Sequence, residues 1–325
     1  MPAIQPTPVA RLRTTDPEMI RASVRGVHIT AMQCSPTATE SELTRIPMPS
    51  QQLDLVELAS AFEFKGVTSR DNATIIFVLA TPGHGHSFNF STDTGPAYMG
   101  FWPTEGPLHY ITPAGYRNAS LTLPLELLVR EMESRDVRPP SGFFETGCAM
   151  KANPCTLLAM EKLVAEIRSL VAGRDGALDD PRWRLNLERV TRAAFADALA
   201  EGIRHRVPEA NLSLRKSERR FQQARDYIAD RLGQPIYLDE LCRACGLSRR
   251  GLQKIFREKI GISPMEYLSL RRLHGVRQDL KANVEWGGVK AAALEWGFWH
   301  LGRFSAEYRR IFGELPSATL ANEQR

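Results

Sequence analysis

Between residues 23 and about 125, apolar positions fall in short runs: VRGVHITAM, QLDLVEL, FEFKGV, TIIFVLA, HSFNF, YMGFW and ASLTL. Clusters of Gly, Pro, Asn and Asp separate them. Runs this short, rich in β-branched and aromatic residues and bounded by turn formers, predict strands. Strands so closely spaced predict an antiparallel sandwich or barrel. The period then changes. Leu157, Met160, Val164, Ile167 and Val171 share one helical stripe from about Pro154 to Ala172. Leu187, Val190, Ala194 and Ile203 mark a second from about Pro181 to His205. The intervening GRDGALDD reads as a turn. Such a helical pair fits plain packing on a sheet and a dimer surface equally well.

The last third repeats itself. CGLSRRGLQKIFREKIGISPMEYL starts at Cys245 and WGFWHLGRFSAEYRRIFGELPSATL at Trp296. At an offset of 52, Leu252 aligns with Phe304, Phe256 with Tyr308, Gly261 with Gly313 and Pro264 with Pro316. Gly246 aligns with Gly297 at 51, so the second turn is one residue longer. Two copies imply a duplicated motif; a solenoid would need more.

Each copy reads as helix, sharp turn, helix. In the first, Leu238, Leu241, Cys242 and Cys245 recur at helical spacing, and Asp239 and Glu240 suit a first turn. Gly246 supplies a left-handed stop and Ser248 the next N-cap. Leu252, Ile255 and Phe256 form the buried stripe, leaving Arg249, Arg250, Gln253, Lys254 and Arg257 outward. Gly261 closes that helix, and Ser263-Pro264 opens another to about Leu280. In the second copy Val289, Ala292, Ala293 and Trp296 face inward and Gly297 turns. Phe304, Tyr308 and Phe312 anchor the following helix, with His300, Arg303, Ser305, Arg309 and Arg310 outside.

Charge follows this division. The chain of 325 residues carries a net +5, but residues 215–325 hold 21 basic against 13 acidic groups and the remainder is slightly acidic. A basic end on an acidic body predicts that this end meets a polyanion. A steeply crossed second helix with a short polar and basic face has the shape that enters a major groove. Hydrophobic residues at 43% and charged residues at 24% are ordinary for a globular protein, and the length favours two domains. No run of eighteen apolar residues and no amino-terminal signal pattern occurs, which predicts a cytoplasmic protein without membrane contact. Five cysteines without framework spacing fit a reducing compartment.

GLSRRGLQKIF, GISPMEYLSLRRLHGVRQDL and GFWHLGRFSAEYRRIFGELPS closely resemble the AraC/XylS family of bacterial transcription regulators, over about Phe221 to Leu320. The resemblance implies two recognition helices joined by a long central helix, entering successive major grooves roughly 34 Å apart. It implies Arg250, Gln253 and Lys254 as base readers of the first unit, with Ser248 and Arg249 near the DNA backbone. His300, Leu301, Gly302, Arg303 and Ala306 hold the DNA-facing positions of the second, where Leu301, Gly302 and Ala306 remove side-chain hydrogen bonding. The second helix is therefore expected to hold phosphates more than it reads bases. The resemblance also implies activation through RNA polymerase, and a companion cupin-like barrel that binds a small effector or mediates dimerisation.

Other chemistry is weakly signalled. Cys242-Arg243-Ala244-Cys245 lacks a second CxxC or a His pair to complete a zinc site, so both cysteines are expected in the core. His84-Gly85-His86 lacks a following glutamate and reads as a hairpin turn. No nucleophile, phosphate loop or carboxylate pair stands out, so no enzyme, cofactor or metal is expected. An alkylation-repair enzyme fused to such a module would need clustered amino-terminal cysteines, and Cys34 alone precedes Cys148. The expectation is an α+β protein. Residues 1–145 form a β-rich sensor domain, 146–206 a helical pair, 207–216 a linker and 217–325 a double helix-turn-helix domain. Its partners are double-stranded DNA and RNA polymerase, with a small effector and a homodimer left open. An architectural DNA-binding protein is the alternative.

Overall fold

The computed structural model describes residues 8–323 apart from 24–26, 36–38, 82–97, 103, 147, 174–179, 206–211 and 283–286. The described strands are β1 (Ala10–Thr14), β2 (Val27–Gln33), β3 (Ser41–Pro47), β4 (Gln52–Leu58), β5 (Phe62–Thr68), β6 (Asn72–Ala80), β7 (Tyr98–Trp102), β8 (Pro107–Thr112), β9 (Tyr116–Pro124) and β10 (Cys148–Lys151). The helices α1 (Pro17–Ser23), α2 (Leu125–Glu133), α3 (Phe143–Thr146), α4 (Pro154–Ala172) and α5 (Pro181–Arg204) accompany them. The rest is helical: α6 (Leu212–Ala229), α7 (Leu238–Cys245), α8 (Arg249–Ile260), α9 (Pro264–Lys281), α10 (Val289–Glu295), α11 (Leu301–Phe312) and α12 (Pro316–Glu323).

The strands form two antiparallel sheets, one ordered β1-β3-β4-β9-β6-β7-β10 and one ordered β2-β5-β8. Alternation along each strand of the larger sheet separates two environments. One row of paired residues, Leu55, Ala119, Phe77, Met99 and Met150, lies in the core beneath α2, α4 and α5. The neighbouring row begins with Arg45, Asp54, Ser120 and Ile76 and faces the smaller sheet. On the far side of the smaller sheet, Met32, Cys34, Ala61 and Ile111 join one apolar core with residues of α6 to α11. The molecule is thus layered as helices, large sheet, small sheet, and helical carboxy-terminal region. An α+β fold with an amino-terminal pair of β-sheets followed by an all-α region is what the sequence pattern called for.

The pair α4 and α5 packs on the large sheet through Met160, Val164, Ile167, Leu187 and Phe195. Val190 departs from expectation, being 41% exposed. The buried stripe of α5 runs instead through Leu187, Thr191, Phe195 and Leu199, because Glu188 and Thr191 turn inward to hold the Ser50–Gln51 turn. Residues 212–216, expected in the linker, belong to α6. A short helix, α1, unassigned from sequence, lies ahead of β2. HSFNF, His84-Gly85-His86 and most of GRDGALDD lie outside the described residues, as does the linker at 207–211.

Candidate DNA-binding surface

The two turns that were aligned by sequence share one geometry. Gly246 has φ +60° and Gly297 φ +78°. In the first, Leu247 N–H donates to the Cys242 carbonyl and Gly246 N–H to that of Arg243. In the second, Phe298 N–H donates to Ala293 and Gly297 N–H to Leu294. This is the crossed pair of bonds of a Schellman stop, which needs a left-handed residue and so favours glycine. Each glycine is roofed by an arginine from the preceding long helix, Arg220 over Gly246 and Arg272 over Gly297. The helix that follows each turn ends at another left-handed glycine, Gly261 and Gly313.

The starts of these helices differ. Ser248 caps α8, its hydroxyl accepting from Gly251 N–H at 3.1 Å. In α11 the capping position belongs to His300, whose side chain makes no capping bond. Leu252, Ile255, Phe256 and Ile260 seat α8 in the core, and Phe304, Tyr308, Ile311 and Phe312 seat α11. Cys242 and Cys245 are buried behind α8 and unbridged.

What remains outward on α8 is Arg249, Arg250, Gln253, Lys254, Arg257 and Glu258. Arg249 is turned back: its guanidinium grips Asp239 through bonds of 2.6 and 2.5 Å, and this holds the Asp239 carboxyl below its ordinary value. Lys254 leans toward Glu258 at 3.7 Å. Arg250 and Gln253 bond to no described residue. On α11, His300, Gly302, Arg303, Ala306, Arg309 and Arg310 are exposed, Ser305 is half-buried and Leu301 packs partly on the core. Arg303 is engaged by Glu307 at 2.9 Å, and Ser269 donates to the same carboxylate. A Cβ at Gly302 would meet open space. Trp299 was not singled out from sequence, yet it is 71% exposed beside the start of α11. Its signal was the extra residue in the second turn.

A second feature lies between the sheets. A cavity of about 40 Å³ is walled by Asp54, Asn118, Ser120 and Thr122 on the large sheet and by Phe64 and Tyr110 on the small one. Space of that size holds a few waters. Arg45 pairs with Asp54 at 3.0 Å on its rim, and the Asn118 side-chain oxygen accepts from no described residue. Burial pushes the Tyr110 and Tyr116 phenols well up, so both stay protonated donors.

A family model described as a helix-turn-helix domain matches residues 241–322. The chain is 34% identical over 161 residues to the probable thc operon regulatory protein of Rhodococcus erythropolis, a stretch making up 47% of each protein. It is 40% identical over 103 residues to the XylDLEGF operon transcriptional activator 3 of Pseudomonas putida, covering 31% of this chain and 30% of that one. These matches span less than half the length of either relative. A solved structure of a probable AraC family transcriptional regulator from Rhodopseudomonas palustris CGA009 is 36% identical. That likeness covers 32% of this chain and 97% of that chain, with a TM-score of 0.31. The paired turns and the sequence likeness across them place the carboxy-terminal domain in the AraC/XylS family.

Proposed function

We propose that this protein is a sequence-specific transcription regulator, an activator, that binds double-stranded DNA through α8 and α11 in successive major grooves. The observation that carries the reading is the exposed face of α8, a helix capped by Ser248, where the side chains of Arg250 and Gln253 make no hydrogen bond or ion pair with a described residue. Arg matches guanine edges and Gln adenine edges in the major groove. Arg249 and Ser248, already engaged locally, suit backbone contact, as do His300, Arg303, Ser305 and Arg309. Activation with RNA polymerase as partner is supported by the likeness to an operon activator. A small effector as the input rests on the family likeness, since the cavity between the sheets is sized for water alone. Exposed Leu158, Trp183 and Leu185 on α4 and α5 support a homodimer through the helical pair. We assign residues 1–145 to the sensor, 146–206 to the helical pair and 217–325 to the DNA-binding domain. We place the protein in the cytoplasm without enzymatic activity, a reading supported by its likeness to operon regulators.

Alanine scanning on DNA selected from a random pool tests the division of labour. Arg250→Ala is expected to cost about 1–3 kcal/mol on the selected site and to relax preference at one base pair. Arg303→Ala is expected to weaken all duplexes alike and to lower the salt slope by about 1. Equal loss of specificity from both substitutions refutes the distinction. Uniform protection in footprinting, without a defined site, would instead mark an architectural protein.

A further inference from the structure

The 52-residue repeat extends further back than its turns. Arg220 and Arg272 roof equivalent glycines, and at the same offset Arg225 of α6 corresponds to Arg277 of α9. Both of these deeper arginines are buried, and each meets an acid from the β-rich half of the chain. Arg225, 1% exposed, lies 3.5 Å from the Glu63 carboxylate of β5, itself 1% exposed. Glu63 also accepts from the Tyr267 hydroxyl at the start of α9 at 2.7 Å and lies 2.9 Å from His109 Nε2 of β8. Arg277 grips Asp16, at the start of α1, with bonds of 2.7 and 3.0 Å. Its guanidinium lies on the Phe312 ring of α11 and contacts Glu314. Glu63 therefore holds the first helix-turn-helix unit and Asp16 the second. Tyr267 and Arg277 are ten residues apart on one helix, about 15 Å along its axis.

The anchors are also close to the cavity in sequence and space. Phe64 and Tyr110 line the cavity from the strand positions next to Glu63 and His109, and Ile20 lines it from the helix that Asp16 begins. Successive strand residues point to opposite faces, so the small sheet is cavity wall on one side and anchor on the other.

We propose that Glu63 and Asp16 are positioning residues for DNA binding: the β-rich half braces the two helix-turn-helix units at equivalent arginines, fixing the separation of α8 and α11. This rests on the reading of both helices as DNA-binding. A buried, bidentate or multiply bonded carboxylate–arginine contact defines orientation as well as attraction. Without the brace each unit still binds its own groove, but the pair loses its preferred spacing.

The test uses the full chain and a duplex that the wild type enriches from a random pool, in three forms: as selected, with two base pairs inserted between the contacted grooves, and cut to one half. Glu63→Gln and Asp16→Asn are each measured by fluorescence anisotropy, with circular dichroism melting to follow the fold. Asp16 is a quarter exposed, so its variant keeps the test open if Glu63→Gln folds poorly. The expected result is unchanged binding of the half-site, a loss of about tenfold on the selected duplex, and spacing discrimination that shrinks by about the same factor. Unchanged spacing discrimination in both variants overturns the brace while leaving DNA binding intact. Loss of half-site binding in step with the whole site overturns it too, because the units themselves are then damaged. A wild type that enriches no sequence removes the DNA reading and the brace with it.

Discussion

Replacing Gly275 with alanine is expected to destabilise the carboxy-terminal region by about 2–4 kcal/mol and to disable its second unit. Gly275 sits in the middle of α9, where glycine normally costs about 1 kcal/mol relative to alanine. The reason it is tolerated is the indole of Trp296: a Cβ at this position would lie 2.2 to 2.5 Å from three carbons of that ring. The ring has little freedom to yield, since its Nε1 donates to Asp279 at 2.7 Å and its body packs into the core below the second turn. Making room means swinging Trp296 out, breaking that bond and separating α10 from α9. Thermal melting and DNA titration of Gly275→Ala read the two effects, and shrinking the obstacle with Trp296→Leu in the same chain should recover part of the stability. A Gly275→Ala protein that melts and binds like the wild type would show that the ring gives way freely.

Glu63→Ala is expected to cost about 3–5 kcal/mol, because it leaves the buried Arg225 without its counter-charge. Arg271 and Lys65 face the same point and would add mutual repulsion. The pH dependence has a definite sign. Burial pushes the Glu63 carboxyl upward, but Arg225, His109 and Lys65 outweigh it and hold the group well below its ordinary value of 4.5. A depressed carboxylate stabilises the fold fully above the unfolded value, and this contribution is lost as pH falls through the folded one. Burial likewise opposes and Arg277 outweighs it at Asp16, which is lowered from 3.8. Stability should therefore begin to fall below about 6.5, where the unfolded chain protonates His274 and His109 while burial keeps both neutral in the fold, and fall further below about 4.5 as both anchors take up protons. Denaturant unfolding of wild type and Glu63→Gln across that range checks this: an equally steep acid loss in both would mean that Glu63 is not the group responsible.

The parts of this protein that were legible in sequence are those fixed by local rules. Gly246, Gly261, Gly297 and Gly313 announce left-handed stops, and all four have positive φ. Strands such as β4 and β9 show their alternation openly, and the unbroken apolar run of β6 marks a strand buried on both faces. The strands and helices that escaped notice carry polar residues buried for distant reasons. In β3, SELTRIP turns Arg45 toward Asp54 beside the cavity, and in β8, PLHYIT carries His109 toward Glu63. The first residues of α6, 212–216, read as linker, and nothing in the sequence around Arg225 shows that its side chain is buried. Glu63 and Tyr267 are 204 residues apart, and no periodicity within either segment hints that they meet. On the DNA-facing side, residue types were readable but their local engagements were not: Arg249 and Arg303 are held by Asp239 and Glu307.

The burial of the arginines at equivalent positions divides the cations of the carboxy-terminal region into two populations that ionic strength addresses separately. Arg250, Lys254, Arg309 and Arg310 stand in solvent, where mobile ions screen them over a length of about 8 Å at physiological salt and compete for any phosphate they hold. Arg225 and Arg277 are shut away from those ions beneath the β-rich half. On the proposed reading, added salt is expected to strip the protein from DNA by acting on the outer set while the inner set stays engaged, so a chain released from its site would depart with its recognition helices still set for the next one.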